Sequence, residues 1–249
     1  TRSQSASLSY FYFTHKQCKK GTLYKCFPYD QEKMVKTKEK DFVEIDYIGR
    51  IKESNQIFDL TDKELAKKEN IFNSKARYGP KVICLGEKQI LPSLDKELID
   101  KEINKNHKIE LKPEEAFGKK DQKLIKIVSA EILRQQKIQP FPGLQINASG
   151  LIGTIRSVNG GRLTIDFNHP LAGKNLVYEM KINRIVEQDE EKLKALIENL
   201  LGLQNKEYEL KIESKKATLS VKSVIPTKIK EEFKKKVKEL IPSIELFFN

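Results

Sequence analysis

One carboxylate in this chain lies where side-chain packing does not explain it. Asp59 stands between Phe58 and Leu60 in the run QIFDL, and a buried acid costs free energy unless it is hydrogen-bonded. Asp59 is therefore a candidate site residue that accepts hydrogen bonds. On the residues alone, an aspartate that caps a turn explains it equally well, and Phe58 fits a core position.

The candidate metal ligands of this chain lie near its N-terminus. His15, Cys18 and Cys26 are of the types that zinc prefers, but their spacing matches no common zinc finger and a fourth ligand is missing. We therefore expect no metal and no cofactor. His169, in NHPLAG, taken alone is typical of a histidine in a loop.

The net charge of +12 is carried mainly by the two ends of the 249-residue chain. Residues 1–33 contribute +4 and residues 214–239 contribute +6, which leaves the middle nearly balanced. A basic chain favours acidic partners, but this distribution makes nucleic acid a less favoured one. No apolar run approaches the ~18 residues of a membrane-spanning helix, so no membrane association is expected. Three cysteines fit a reducing compartment, and we expect a cytoplasmic protein.

The first 33 residues lack the periodicity of a helix or strand beyond Phe13. The apolar patch LSYFYF has neither the charged start nor the cleavage site of a secretory signal. Met34 precedes the first strand pattern, so we expect it to be the natural start. Residues 1–36 are then an N-terminal extension outside the fold.

Strand patterns alternate with short helices over the next part of the chain. Alternating apolar residues predict strands at 42–51, 56–60, 81–85 and 107–112. Thr61 begins a capping box that predicts a short helix to about Asn70, and Pro92 begins the helix PSLDKELI. Leu176, Tyr178, Met180 and Ile182 share one face of a long central strand.

Residues 119–168 differ in character and predict a small inserted β domain. Its clearest element is a hairpin, GTIRSV and RLTIDF, joined by Asn159-Gly160-Gly161. Residues 189–249 predict a separate α+β domain. In it an amphipathic helix, with Leu193, Leu196, Ile197 and Leu200 inward, ends at Gly202. A second helix directs Ile229, Phe233, Val237 and Leu240 inward.

Five motifs in order resemble those of the FKBP-type peptidyl-prolyl cis-trans isomerases. They are DYIGRI, IFDLT, YGPKVICLGEKQILPSLDKEL, LKPEEAFG and DFNHPLAGKNLVYEMKI. The block before NHPLAG resembles the insert-in-flap domain of the SlyD-like branch, and the C-terminal extension looks like the long archaeal form. The resemblance implies an α+β fold in which a half-barrel antiparallel sheet wraps around a short helix. Its isomerase domain would comprise residues 37–118 and 169–188.

The family's pocket residues carry over to this sequence position by position. The resemblance implies a catalytic pocket made by Tyr47, Phe58, Asp59, Ile90, Leu91, Leu94, Phe117 and Tyr178. It implies substrate contacts by His169 and Leu171. Asp59 would orient the pocket through hydrogen bonds, and the backbone N–H of Leu91 would donate to the substrate.

Three departures from the family pattern affect ligand selectivity. Phe117 lacks the hydroxyl of the tyrosine that many relatives carry, Leu94 replaces a tryptophan at the floor, and Lys81 replaces an aromatic residue. Isomerisation remains compatible with all three, whereas tight macrolide binding is not expected.

We therefore expect a peptidyl-prolyl cis-trans isomerase with chaperone activity from the inserted domain. Its partners would be unfolded or nascent proline-containing polypeptides. Two alternatives are a folding chaperone with a vestigial isomerase pocket and a basic nucleic-acid or ribosome-associated protein. The oligomeric state stays open, with a homodimer through the C-terminal domain as one option.

Overall fold

A computed structural model of the chain describes residues 35–148, 150–204, 206–213 and 215–249. The candidate ligands His15, Cys18 and Cys26 lie outside the described residues, and so do all but the last two residues of the proposed extension 1–36. Of these two, Lys36 forms an antiparallel bridge with Glu102 and so contacts the fold. The strands are β1 (Phe42–Ile51), β2 (Ile57–Leu60), β3 (Lys81–Cys84), β4 (Asn106–Leu111), β5 (Ile125–Ser129), β6 (Gln145–Ala148), β7 (Leu151–Asn159), β8 (Arg162–Asp166), β9 (Leu176–Ile185), β10 (Tyr208–Glu213), β11 (Lys216–Val221) and β12 (Glu245–Phe248). The helices are α1 (Lys63–Lys68), α2 (Pro92–Glu97), α3 (Glu131–Gln135), α4 (Asp189–Leu201) and α5 (Thr227–Leu240).

The main sheet is antiparallel and is built around the pair β1 and β9. β4 lies on the far side of β9, while β3 and β2 share the other edge of β1, one after the other. Because side chains alternate across a strand, Val43 and Ile45 of β1 reach the same core as Tyr178 and Met180 of β9. The mixed helix and antiparallel-sheet architecture is as predicted.

Helix α2 closes the apolar side of this sheet. Pro92 occupies its first turn, as predicted, where the missing N–H of proline costs no hydrogen bond. Leu94 and Leu98 are buried in the core cluster that the sheet shares with the helix. The helix therefore sets the floor and rim of any cavity between these layers.

The cap of α1 differs from the prediction. Asp62, not Thr61, is the N-cap residue, and its carboxylate accepts from the backbone N–H groups of Glu64 and Leu65. The Thr61 hydroxyl instead donates to Asp46 at 2.8 Å and accepts from the N–H of Tyr47 at 3.0 Å. Thr61 thus ties the end of β2 to β1, a long-range role that the local pattern did not show.

The segment between β4 and β9 forms a second sheet in the order β5-β8-β7-β6. Its small core contains Leu133 of α3 together with Ile155, Leu163 and Ile165. Asn159 pairs with Arg162, so the hairpin turn consists of the two glycines between them. Both have positive φ, 55° and 76°, which glycine adopts without strain.

The C-terminal elements form a third sheet, in which β12 pairs in parallel with β11 and β10 pairs antiparallel with β11. Helices α4 and α5 contribute Leu196, Ile197, Phe233 and Val237 to its core, and Gly202 ends α4 in the left-handed conformation. The same core includes Phe42 of β1 and Cys84 of β3. The prediction of a separate unit is therefore wrong in this respect, because its core is shared with the main sheet.

Two residues predicted to face the C-terminal core do not do so. Leu200 and Ile229 are 42% and 43% exposed. Leu200 lies in the last turn of α4 and Ile229 in the first turn of α5. In the described part of the chain, no helix has the length and apolar character needed to cross a membrane.

Candidate active site

A cavity of about 180 Å³ lies between the main sheet and α2. It brings together residues from six separate parts of the chain. Seven of the ten predicted site residues line it: Tyr47, Asp59, Ile90, Leu91, Leu94, Phe117 and Tyr178. The other three, Phe58, His169 and Leu171, lie behind or beside these walls.

The polar element of this cavity is a bond between two side chains. Tyr47 of β1 donates its hydroxyl hydrogen bond to Asp59 of β2 at 3.1 Å. Burial, followed by the nearby Asp59 carboxylate, raises the pKa of Tyr47 well above its usual value. The Tyr47 hydroxyl therefore stays protonated and keeps Asp59 in one orientation across the ordinary pH range.

Aromatic rings form the wall opposite α2. The ring of Phe58 meets that of Tyr178 edge to face at 5.6 Å, so Phe58 holds Tyr178 in place from behind. Burial, with a smaller contribution from Asp59, raises the pKa of Tyr178, whose hydroxyl therefore stays neutral.

Gly49 makes this aromatic wall possible. A Cβ atom on Gly49 would lie 2.7 Å from the Phe58 ring and 3.1 Å from that of Tyr178. Only a residue without a side chain lets both rings approach β1 this closely. Gly49 lies within the motif DYIGRI, but the sequence alone did not indicate which rings it accommodates.

The rim of the cavity presents an unpaired backbone donor. Leu91 precedes α2 as its N-cap residue, and its N–H takes part in none of the hydrogen bonds between described residues. Asp95, which is 3% exposed, anchors the preceding loop by accepting from the N–H groups of Gly86 and Lys88. The Leu91 N–H therefore lies on a loop that the buried Asp95 carboxylate anchors.

Phe117 lines the cavity, and His169, which is not part of the lining, packs against Phe117. Their rings stack in parallel, 4.2 Å apart at the centroids. The His169 Nδ1 atom accepts from the N–H of Leu171 at 3.2 Å, which fixes the imidazole over Phe117. Leu171 itself packs against the main core.

Comparison with known proteins agrees with this geometry. Residues 33–133 match the family model described as FKBP-type peptidyl-prolyl cis-trans isomerase. Residues 126–171 match the model of the FKBP26 IF domain. The chain therefore contains an FKBP-type peptidyl-prolyl cis-trans isomerase domain. The SlyD-like character expected from the insert is likewise supported.

Three FKBP-type relatives are similar to this chain over much of their own length. The short-type peptidyl-prolyl cis-trans isomerase of Methanocaldococcus jannaschii is 28% identical over 148 residues, or 59% of this chain and 93% of its own. The FKBP-type 16 kDa peptidyl-prolyl cis-trans isomerase of Escherichia coli is 26% identical, covering 43% and 74% respectively. SlyD of Helicobacter pylori is 26% identical, covering 51% and 70%.

The FKBP cavity contains three wall residues that were not among the predicted site residues. They are Lys81, Gln89 and Met180. Burial lowers the pKa of Lys81, and the Asp59 carboxylate partly offsets this effect. The replacement of an aromatic residue by Lys81 was noticeable from the resemblance. Gln89 carried no local signal, because its side-chain partner Asn199 is 110 residues away in sequence.

A larger cavity, about 800 Å³, lies on the other side of the FKBP sheet. Asp46, Ile48 and Glu179 line it, and these residues alternate with the inward-facing Tyr47 and Tyr178 along β1 and β9. Tyr47 is the one predicted site residue that borders it. The smaller cavity is therefore the better candidate, because the Tyr47–Asp59 bond and the Leu91 donor meet there.

The chemistry of the FKBP cavity needs no metal and no nucleophile. Rotation about an X-Pro bond meets a barrier of ~18–20 kcal/mol and changes no covalent bond. An apolar, preorganised site lowers such a barrier by binding the twisted amide better than the planar one. Among the described residues there is no cluster of three or more His, Cys, Asp or Glu side chains that could hold a metal ion.

Proposed function

We propose that this isomerase acts on unfolded or nascent proline-containing polypeptides in the cytoplasm, with the inserted domain supplying chaperone activity. Peptidyl-prolyl cis-trans isomerisation itself follows from the family. The observation that carries the assignment of the pocket is the Tyr47–Asp59 hydrogen bond beside the Leu91 N–H, which has no hydrogen-bond partner among the described residues.

Different pocket residues have different roles in isomerisation. Tyr178, Leu94 and Phe117 surround the proline ring with apolar surface, which favours burial of its methylene groups. The Leu91 N–H donates to the carbonyl oxygen of the substrate. Asp59, held by Tyr47, presents a fixed negative charge that favours one orientation of the amide dipole during rotation.

The second sheet, in the proposed inserted domain of residues 119–168, supports the chaperone role. Of the fourteen large hydrophobic side chains that the described residues expose, seven lie in this segment, at positions 124, 127, 132, 138, 141, 151 and 152. Its outer strands β5 and β6 also leave edges to which an extended polypeptide can pair. Exposed apolar surface of this kind marks an interaction site.

Two assays on the full chain test this proposal. One measures cis-to-trans isomerisation of an X-Pro tetrapeptide, and the other measures refolding of a protein limited by proline isomerisation. Acceleration of both is expected. Suppression of aggregation without any acceleration of the tetrapeptide would instead favour a chaperone with a vestigial pocket.

The basic nucleic-acid or ribosome-associated alternative has a different signature. Several α5 lysines have other contacts: Lys236 forms ion pairs with Glu87 and Glu239, while Lys230 and Lys234 lie over the ring of Phe248. Binding to nucleic acid that weakens steeply with salt would support that reading.

A further inference from the structure

A side chain of the C-terminal helix α4 reaches the wall of the isomerase cavity. Asn199 donates from Nδ2 to the carbonyl of Val82 at 2.8 Å and to Oε1 of Gln89 at 2.9 Å. Gln89 lines the cavity and is 110 residues away in sequence. One amide therefore joins β3, the loop before α2, and the C-terminal elements.

Gln89 has one orientation of its amide because of these contacts. Its Oε1 atom also accepts from the backbone N–H of Cys84 at 3.1 Å. Both neighbours are donors, so the oxygen must face them and the Nε2 atom must face away. Nε2 is buried with no hydrogen-bond partner in the part of the chain that the structure describes. Two directed bonds hold the side chain despite this cost.

The loop of residues 86–91 is thus held from two sides. Asp95 of α2 accepts from Gly86 and Lys88 on the inner side. On the outer side Asn199 holds Gln89, and Lys236 of α5 pairs with Glu87 at 2.7 Å. Leu91, whose N–H is the donor at the rim, follows Gln89 by two residues.

We infer that Asn199 is a positioning residue for isomerisation, and that the C-terminal helices hold the rim of the pocket in its active geometry. This inference rests on the proposed use of the Leu91 N–H by the substrate. A hydrogen bond that strengthens in the transition state works only when its donor is placed accurately, and a displacement of about 1 Å is costly. Loss of Asn199 should therefore lower kcat more than it changes KM.

The test compares variants in the full chain with an X-Pro tetrapeptide. Asn199→Leu removes both bonds, and Asn199→Asp removes both donors at nearly constant volume. The matched control is Glu198→Gln, at the adjacent residue, which pairs with Arg77 and takes part in neither of the two hydrogen bonds to Gln89. We expect kcat to fall about fivefold or more in both Asn199 variants, with KM changed by less than about twofold and the control at the wild-type rate.

A double-mutant cycle separates positioning from simple destabilisation. Gln89→Leu should reproduce the loss of kcat, and Asn199→Leu with Gln89→Leu should lose no more than either single variant. Gln89→Glu, which keeps the acceptor, should recover part of the loss. Thermal unfolding of every variant shows which proteins are folded at the assay temperature.

The outcomes are distinct. A wild-type chain without isomerase activity contradicts the proposed function itself. An active wild type with Asn199→Asp and Asn199→Leu at unchanged kcat overturns this inference, even if both melt at lower temperature. Losses that multiply in the double variant also overturn it, because they show that the two residues act independently.

Discussion

The rings of Phe117 and His169 stack in parallel with 4.2 Å between their centroids, and they join the two ends of the inserted segment to the pocket wall. Phe117 precedes the insert and lines the cavity, whereas His169 follows it. Beside them, the N–H of Gly173 donates to the carbonyl of Gly118 at 2.8 Å. The inserted segment is therefore attached to the main sheet beside the proposed isomerase pocket.

Removing the His169 ring should weaken this wall. We expect His169→Ala to lower kcat/KM for an X-Pro tetrapeptide by a few-fold, since an aromatic pair contributes about 0.5–1.5 kcal/mol beyond burial. His169→Phe restores a ring and should recover most of the loss. Equal rates for His169→Ala and the wild type would remove His169 from the substrate side of the pocket.

Replacing about residues 123–165 by a short glycine-containing loop should separate the two activities. All ten predicted site residues lie outside this stretch, so turnover of a tetrapeptide should persist. Catalysed refolding of a proline-limited protein should slow towards its uncatalysed tens to hundreds of seconds. The reason is that the insert raises the effective concentration of each X-Pro bond at the pocket to ~mM.

Two other results would change this view of the insert. Equal losses in the tetrapeptide and refolding assays would mean that the insert supports the pocket itself. Unchanged refolding catalysis would mean that client binding lies elsewhere, with residues 189–249 the next region to test.

Gly49→Ala should displace the Phe58 and Tyr178 rings that form the aromatic wall of the pocket. The added methyl group would overlap the Phe58 ring, and overpacking of this kind costs about 1–3 kcal/mol. We expect lower stability together with a lower kcat/KM. The matched control is Gly153→Ala in the insert, where a Cβ would lie 2.6 Å from Phe167. That variant should also lose stability but keep tetrapeptide activity, and similar activity losses in both would contradict a specific role for Gly49.

The hydrogen bonds around Asp166, at the end of the inserted segment, should stabilise the fold less in acid. Burial works to raise the pKa of Asp166, but hydrogen bonds from Asn168 and Arg156 outweigh it and hold the pKa below its usual value. A lowered folded-state pKa stabilises the fold above the unfolded value of about 3.9, and this contribution disappears as the pH falls through the folded value. Asp166→Asn should therefore cost about 1–3 kcal/mol at pH 7.

Unfolding of wild type and Asp166→Asn at pH 7 and at about pH 3 checks the sign. The stability difference between the two proteins should shrink at the lower pH. A difference that stays constant or grows as the pH falls would contradict the claim that the ionised Asp166 carboxylate stabilises the fold.

Short-range patterns predicted the strands well, and long-range contacts account for what they missed. The alternation in β1 and β9 indicated which face carries Val43 and Tyr178, because period two is a local property. The pocket set came from the resemblance, since nothing local distinguishes Ile90 or Leu94 from core residues. The roles of Gln89 and Asn199 depend on a contact across 110 residues, which no local pattern reports.

The C-terminal helices are a second case in which the local pattern did not show a long-range contact. Both amphipathic helices were predicted from the sequence, but periodicity does not show what each apolar face packs against. The face of α4 that carries Leu196 and Ile197 shares a core with Phe42 and Cys84, from the main sheet. In that setting burial raises the pKa of the Cys84 thiol to about 12, so it stays protonated there.

The most direct test of the account is kcat/KM for an X-Pro tetrapeptide in the wild type and in Asp59→Leu, with circular dichroism to show that both are folded. Asp59 accepts the Tyr47 hydrogen bond, lines the cavity and is exposed, so its replacement should leave the packing of the core intact. We predict catalysis by the wild type and a loss of about tenfold or more in the variant, which corresponds to ~1.4 kcal/mol of transition-state stabilisation. A folded Asp59→Leu protein with the wild-type rate would contradict the assignment of this pocket.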